Sequence, residues 1–213
     1  MRFITLALAL ALPLTVTAQD ISKVNGTVSV DAGGHAGNLS TVNGSVRVGD
    51  RASIQEGSTV NGAVELGDGA QASELHTVNG AIALGQGAQV RGKLQSTNGA
   101  ISLEPSSEVT GDVANVNGAI ELKHAHVGGN IETTSGNVLI GADSQVDGGI
   151  TVNEQHGWNS FNRPPHVVIG PHAIVRGTLD FHREVVLQVS DSAQIGPVKG
   201  ATAMRFSGAQ PLN

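Results

Sequence analysis

Two neighbouring stretches decide the fold: residues 60–70 read VNGAVELGDGA, and residues 78–88 read VNGAIALGQGA. The Asn-Gly pair in these stretches recurs along the chain, and Ser135-Gly136 is a degenerate seventh copy. Successive copies are separated by 18, 18, 18, 19, 19 and 18 residues. A fixed period of this kind indicates a repeat architecture in which each unit stacks on its neighbours. The asparagines of the six pairs are Asn25, Asn43, Asn61, Asn79, Asn98 and Asn117.

Within each unit, apolar and polar residues alternate over short runs, as from Val64 to Leu66 and from Ile82 to Leu84. This period of two in β-branched and aliphatic residues predicts strands, and the frequent glycines predict corners between them. One unit holds about three short strands, which makes it one coil. We therefore predict an all-β fold, a single-stranded parallel β-helix (β-solenoid) of about nine coils of 18–19 residues, about 43 Å long at ~4.8 Å per coil.

The composition excludes several classes of protein. The 213 residues include 29 glycines, no cysteine and only 2% aromatic residues, which does not suit an ordinary layered core. A hydrophobic content of 39% with only 14% charged residues is too apolar for a disordered chain. The net charge of −6, without a basic run, argues against nucleic acid as a partner.

Residues 1–18 have the pattern of a secretory signal peptide. Arg2 provides the positive end, residues 3–12 are almost continuously apolar, and residues 16–18 form a small-residue cleavage site. The apolar run is too short for a stable membrane span, so we expect no stable membrane insertion. The predicted location is outside the cytoplasm: periplasmic, at the cell surface or secreted.

The remaining chain divides by how closely it follows the period. Residues 19–200 form the predicted β-solenoid, with regular repeats over 24–152 and degenerate C-terminal coils over 166–200. Residues 153–165 break the period and are predicted to protrude as a loop. Residues 201–213 are predicted to be a C-terminal tail or cap.

Three phrases carry a resemblance to a known family: GAQVRGKL at 87–94, SEVTGDV at 107–113 and AIVRGTL at 173–179. They resemble bactofilins, the polymer-forming bacterial β-helix proteins. The repeated Val-Asn-Gly with Val-x-Leu is also similar to bacterial adhesin-like β-solenoids. The bactofilin resemblance implies a right-handed β-helix that associates end to end, although bactofilins are typically cytoplasmic and this chain carries an export signal.

A left-handed coil is the alternative. Residues 66–71, LGDGAQ, also fit the hexapeptide pattern of left-handed β-helix acyltransferases. The 19-residue steps and the lack of a clear catalytic histidine favour the right-handed form.

The asparagine column is predicted to be structural, as a ladder of side-chain amides that bond from coil to coil. Asparagine also tolerates the left-handed backbone region, which suits a corner before glycine. The alternative is a ligand face on which Thr-Val-Asn triads form an outward array that binds ice or crystalline polysaccharide. The hydroxyl residues of that array are Thr41, Thr59, Thr77 and Ser96.

Acidic and histidine residues give no clear enzyme or metal signature. Asp50 and Asp68 lie at equivalent corners, and a pair of carboxylates about 5 Å apart is typical of retaining glycosidases, but no pocket is indicated. A column of His124, His126 and His172 with Asp143 could hold zinc, yet such residues are more often exposed surface groups. We predict no catalytic residues, no metal and no cofactor.

The predicted loop at 153–165 contains the only tryptophan. Trp158, Asn159, Phe161 and Arg163 form a candidate patch for a partner or a sugar. The alternative is that Trp158 folds back and caps the apolar end of the rod.

The sequence thus favours a protein that is not an enzyme. The expected function is that of an exported structural or adhesive solenoid, which assembles with itself, end to end or laterally, or presents a flat repeat surface to an envelope or extracellular protein or glycan. A polysaccharide- or ice-binding module is the alternative, and a polysaccharide-active enzyme is the weaker one. Lateral packing would use a column of small residues: Thr27, Ser45, Ala63, Ala81, Ala100 and Ala119.

Overall fold

The computed structural model describes residues 19–155 and 163–209, which form 27 strands and no helix. The strands belong to three parallel sheets that run along the rod. Sheet A comprises β1 (Ile21–Asn25), β3 (Leu39–Asn43), β5 (Glu56–Asn61), β8 (Glu74–Asn79), β11 (Leu94–Asn98), β14 (Val113–Asn117), β17 (Ile131–Thr133), β20 (Ile150–Val152), β23 (Leu179–Phe181) and β26 (Val198–Lys199). Sheet B comprises β2 (Val28–Val30), β4 (Val46–Val48), β6 (Val64–Leu66), β9 (Ile82–Leu84), β12 (Ile101–Leu103), β15 (Ile120–Leu122), β18 (Val138–Ile140), β21 (His166–Ile169), β24 (Val186–Ser190) and β27 (Met204–Phe206). Sheet C comprises β7 (Gln71–Ala72), β10 (Gln89–Val90), β13 (Glu108–Val109), β16 (His126–Val127), β19 (Gln145–Val146), β22 (Ile174–Val175) and β25 (Gln194–Ile195).

Each strand pairs in parallel with the equivalent strand one coil further on. Asn61 is paired with Asn79 in sheet A, and Leu66 is paired with Leu84 in sheet B. Equivalent residues therefore stack directly above one another, as the sequence repeat requires. The prediction of a parallel β-solenoid of about nine coils is confirmed, while the handedness of the coil stays a prediction.

The core is a narrow column of aliphatic side chains enclosed by the three sheets. Leu84, Leu103 and Leu122 occupy the same position in successive coils, and none is more than 1% exposed. Among the described residues, Phe181 is the one buried aromatic side chain. Stacked aliphatic residues fill this thin interior without rings, which explains the low aromatic content.

One corner of every regular coil has a left-handed backbone. Residues at this position have φ between 53° and 70° in eight coils, although five of them are not glycine. A left-handed conformation costs about 1–2 kcal/mol for a residue with a Cβ atom, so the stacking of coils imposes this strain. The column consists of Gly33, Arg51, Gly69, Gly87, Ser106, His124, Asp143 and His172.

Replacing a strained non-glycine residue in this column should stabilise the protein. For Ser106→Gly we expect the free energy of unfolding to rise by up to about 1 kcal/mol, because glycine adopts a positive φ without strain. Urea unfolding followed by circular dichroism measures the change. Ser102→Gly, within β12, is the control and should lower stability. A Ser106→Gly protein that is less stable than wild type would contradict the prediction.

The repeat lengthens near its C-terminal end. Val138 in β18 pairs with Val167 in β21, so the step between these coils is 29 residues instead of 18 or 19. The added residues lie between β20 and β21, where the sequence predicts a loop. In the segment predicted to be a tail or cap, β27 pairs with β24 and adds a strand to sheet B.

Candidate partner-binding face

The candidate site is the outward surface of sheet A over its first six strands, which we call the valine face. It consists of three parallel columns. The middle column, the valine stripe, points outward and is apolar except at its fifth position, where Thr97 lies; Val78 and Thr97 are half-buried, and the other members are exposed. Its valines are Val24, Val42, Val60, Val78 and Val116. The asparagine ladder lies on one side of the stripe. A polar column lies on the other side, and it contains Ser22, Ser40, Ser58, His76 and Gln95.

The asparagine ladder joins six successive coils through its side chains. The Nδ2 of Asn79 donates to the Oδ1 of Asn61 at 3.0 Å, and the Nδ2 of Asn98 donates to Asn79 at 3.0 Å. The other three hydrogen bonds of the ladder have donor–acceptor distances of 2.8–3.1 Å; they run from Asn43 to Asn25, from Asn61 to Asn43 and from Asn117 to Asn98. Each asparagine is exposed at the end of its strand, so the ladder is accessible from solvent.

The backbone conformation expected for these asparagines is wrong. None of them has a positive φ, because each is the last residue of a sheet A strand rather than part of a left-handed corner. The asparagine side chains are therefore explained by bonding between coils and not by tolerance of a strained backbone.

Removing one member of the ladder should cost measurable stability. Asn79→Ala deletes two side-chain hydrogen bonds, one to Asn61 and one from Asn98, so we expect a loss of about 1 kcal/mol in the free energy of unfolding. The measurement is urea unfolding followed by circular dichroism. Gln95→Ala, an exposed position on the same sheet, is the control and should change stability by less than about 0.5 kcal/mol. Equal stability of Asn79→Ala and wild type would refute an energetic role for the ladder.

The outward threonine array, which was the alternative to the structural ladder, is wrong. Thr41, Thr59 and Thr77 are at most 5% exposed, and their hydroxyls point into the rod. Alternation along the strand explains this, since Leu39 and Leu75 point inward and residues two positions further on do the same. The Thr77 Oγ1 donates to the Gly62 carbonyl at 3.0 Å, and the equivalent hydroxyls make the same bond.

The valine stripe is the feature that the sequence reasoning missed. Val24 is 67% exposed, and Val42, Val60 and Val116 are 39–41% exposed. The signal was present, since the valine between an inward threonine and the asparagine of each Thr-Val-Asn triad must point outward. A groove of about 560 Å³ runs beside the stripe in the first four coils, between the valines and the polar column.

The two aspartates considered as a catalytic pair have structural partners. The Oδ1 of Asp50 accepts the backbone N–H of Asp68 at 3.0 Å, and the Oδ1 of Asp68 accepts that of Gln86 at 2.8 Å. Each carboxylate thus satisfies the corner of the next coil.

The histidine column considered for zinc divides into two groups. His124, Asp143 and His172 stack at the left-handed corner, where Asp143 lies 3.7 Å from His124 and 3.6 Å from His172. His126 lies elsewhere, in sheet C. Within residues 19–155 and 163–209, no group of three histidine or acidic side chains has an arrangement suited to a metal ion.

His126 belongs to a polar cluster that crosses several coils. Its Nε2 lies 2.9 Å from an Asp147 carboxylate oxygen, and its Nδ1 lies 3.6 Å from Glu108. Gln145 and Arg176 also donate to the Asp147 carboxylate. The hydrogen bond from His126 is the largest factor that lowers the pKa of Asp147 below its ordinary value, and Gln145 and Arg176 lower it further.

The lowered pKa of Asp147 predicts an acid-dependent contribution to stability. Since the pKa is lower in the folded than in the unfolded state, the contribution is present above about pH 4 and is lost as the pH falls through the lowered pKa. We expect Asp147→Asn to be less stable than wild type at pH 7, by at most about 1 kcal/mol for this half-exposed group, and the difference to shrink as the pH falls below about 4. Unfolding with urea across this pH range measures the difference. Asp31→Asn, at an exposed corner, is the control, and a difference that does not vary with pH would contradict the prediction.

The candidate loop patch lies mostly outside the described residues, since it includes Trp158, Asn159 and Phe161. Arg163 is described and exposed. At the start of the loop, Nη1 of Arg183 donates to the Gln155 side chain at 3.0 Å and to the Thr134 carbonyl at 3.1 Å. These bonds tie the loop's first residues to the rod.

The small-residue column is also on the surface. Ala81, Ala100 and Ala119 are exposed, and Ala63 is half-buried.

In the part of the chain that the structure describes, no helix has the length and apolar character needed to cross a membrane.

Comparison with known proteins does not assign this chain to a family. No protein-family model matches it, and searches of curated proteins and of solved structures find no similar sequence or chain.

Proposed function

We propose that this chain is an exported structural or adhesive β-solenoid that acts by contact rather than by catalysis. In this proposal it associates with itself or presents its flat repeat surface to an envelope or extracellular partner. The observation that carries the proposal is the valine face. There a valine stripe, exposed at Val24, Val42, Val60 and Val116 and replaced by Thr97 in the fifth coil, lies beside an amide ladder that continues through six coils. An extended, regular apolar surface is typical of interaction sites.

Two further features support association. The first strands, β1 and β2, have no partner on their outer side among the described residues, so they present open strand edges. The phrases that resemble bactofilins agree with assembly through such edges, and the signal-like residues 1–18 support export.

Sedimentation velocity and negative-stain electron microscopy of the purified protein test the proposal. We expect elongated particles that join end to end as the concentration rises. The Ile21 N–H donates to the backbone carbonyl of Asn38, in the next coil. Because successive N–H groups along a strand point to opposite sides, the N–H of Ser22 points to the open edge. Ser22→Pro should therefore shorten the assemblies, whereas Ser22→Ala, which keeps the N–H, should not.

Two results would contradict the proposal. One is a protein that stays a single particle at all concentrations and is also not retained by isolated cell envelopes. The other is hydrolysis of a polysaccharide by the purified protein, which would favour the enzyme alternative.

A further inference from the structure

The proposed function does not specify the chemical class of the partner. The hydrogen-bonding groups, size and charge of the valine face indicate that class. A side-chain amide has two N–H donors and an oxygen with two lone pairs. Within the ladder, Asn61 uses one donor toward Asn43 and accepts one bond from Asn79. One donor and one lone pair per coil are therefore available for a ligand, in a row that repeats every ~4.8 Å.

The size of the valine face argues against a second copy as its occupant. Six coils at ~4.8 Å and three residues at ~3.3 Å give a surface of roughly 300 Å². A stable protein dimer buries about 800 Å² on each partner. The occupant is therefore narrow and lies along the rod, in line with the groove of about 560 Å³ beside the stripe.

The charges beside this groove argue for a neutral ligand. Apart from His76, only Lys23 and Glu56 among the residues that line it are ionisable. Lys23 donates to the carbonyl of Thr27 in its own coil. The remaining polar lining is hydroxyl groups, such as those of Ser40 and Ser58, and the whole chain is acidic. Anionic ligands would be repelled by the chain as a whole.

The spacing of the columns disfavours an extended peptide. A strand advances ~3.3 Å per residue and ~6.7 Å per pair of residues on one face, and neither value matches the ~4.8 Å between coils. A chain of six-membered sugar rings advances by about one ring per coil, so that each ring meets the same three side-chain types. Its C–H face packs on valine, and its hydroxyls bond to serine and asparagine.

We propose that the valine face binds a neutral linear polysaccharide, which lies along the rod axis with its rings on the valine stripe. This inference rests on the proposed function and specifies the partner of the same surface. The serine hydroxyls of the polar column, those of Ser22, Ser40 and Ser58, bind one edge of the glycan, and the asparagine ladder binds the other edge.

The test compares retention of the purified protein on microcrystalline cellulose and chitin with retention on polygalacturonate at equal ionic strength. We expect retention on at least one neutral glycan and none on the anionic one. Val60→Glu places a charge on the stripe and should weaken binding about tenfold or more. Leu139→Glu is the matched control, because Leu139 is also 39% exposed but lies in sheet B.

A milder variant keeps the test valid if Val60→Glu does not fold. The double variant Val42→Thr, Val60→Thr introduces threonine, the residue type that already occupies this column at Thr97. It makes the stripe less apolar and should weaken glycan binding about threefold. Thermal unfolding confirms that each variant is folded.

Three outcomes would overturn the glycan proposal: no retention on either neutral glycan, equal retention on polygalacturonate, or equal losses in Val60→Glu and Leu139→Glu. A dimer that Val60→Glu dissociates would assign the face to a second copy and overturn it too. Filaments or envelope retention without glycan binding would leave the proposed structural function intact.

Discussion

Gly80→Ala should destabilise the protein by at least about 3 kcal/mol, which is the largest single-residue effect we expect. A Cβ atom at Gly80 would lie well inside van der Waals contact with the carbonyl oxygen of Gly62, one coil below. That oxygen cannot move aside freely, because it accepts the hydroxyl of the buried Thr77. The adjacent coils would have to separate, and the hydrogen bonds between them would break.

Gly87→Ala separates this steric effect from the general cost of replacing glycine. Beyond its two chain neighbours, no residue has a heavy atom within 4 Å of a Cβ atom at Gly87, although its φ of +66° makes alanine unfavourable by about 1 kcal/mol. Urea unfolding followed by circular dichroism measures both variants. In the Gly80→Ala protein, hydrogen exchange should show the greatest loss of amide protection in the coils that contain Gly62 and Gly80. Similar losses in the two variants would show that contact between coils is not the cause.

Leu103→Ala should cost about 2–5 kcal/mol through loss of packing in the core. Leu103 is fully buried in sheet B between Leu84 and Leu122, so truncation leaves a cavity that the rigid coils above and below cannot close. Urea unfolding measures the loss.

Leu139→Ala is the matched control for this core variant, because it removes the same atoms from a side chain that is 39% exposed. It should change stability by less than about 0.5 kcal/mol. Leu103→Met keeps the side-chain volume and should cost less than about 1.5 kcal/mol. A Leu103→Ala protein as stable as Leu139→Ala would show that the column is not the energetic core.

The architecture was predictable because the repeat determines it. A constant step between Asn43, Asn61 and Asn79 leaves stacking of equivalent residues as the simplest way to bury Val64 and Ile82. The handedness was not predictable in this way, since the same alternation serves a coil of either hand. The residues of the strained corner were also hidden, because Arg51, Ser106 and His124 carry no left-handed preference as strong as that of glycine.

The candidate site was only partly predictable. The asparagines were identified from their period, but the alternative of an outward ligand face placed the threonines beside them on the wrong side of the strand. Counting from the inward Leu75 would have placed Thr77 inside and Val78 outside. The partners of His126 could not be predicted from spacing alone. His126 is two positions beyond His124, and over that step the chain leaves the left-handed corner and enters sheet C.

The register between coils has a consequence for how such a protein changes over generations. Equivalent residues of adjacent coils are paired directly, as Asn61 is with Asn79, and no strand pairs beyond its immediate neighbours in a sheet. Duplication or loss of an in-frame segment such as residues 62–79 would add or remove one layer and keep the cross-section, the terminal layers and all columns aligned. Length can therefore evolve in increments of one coil without a change in the first or last coil.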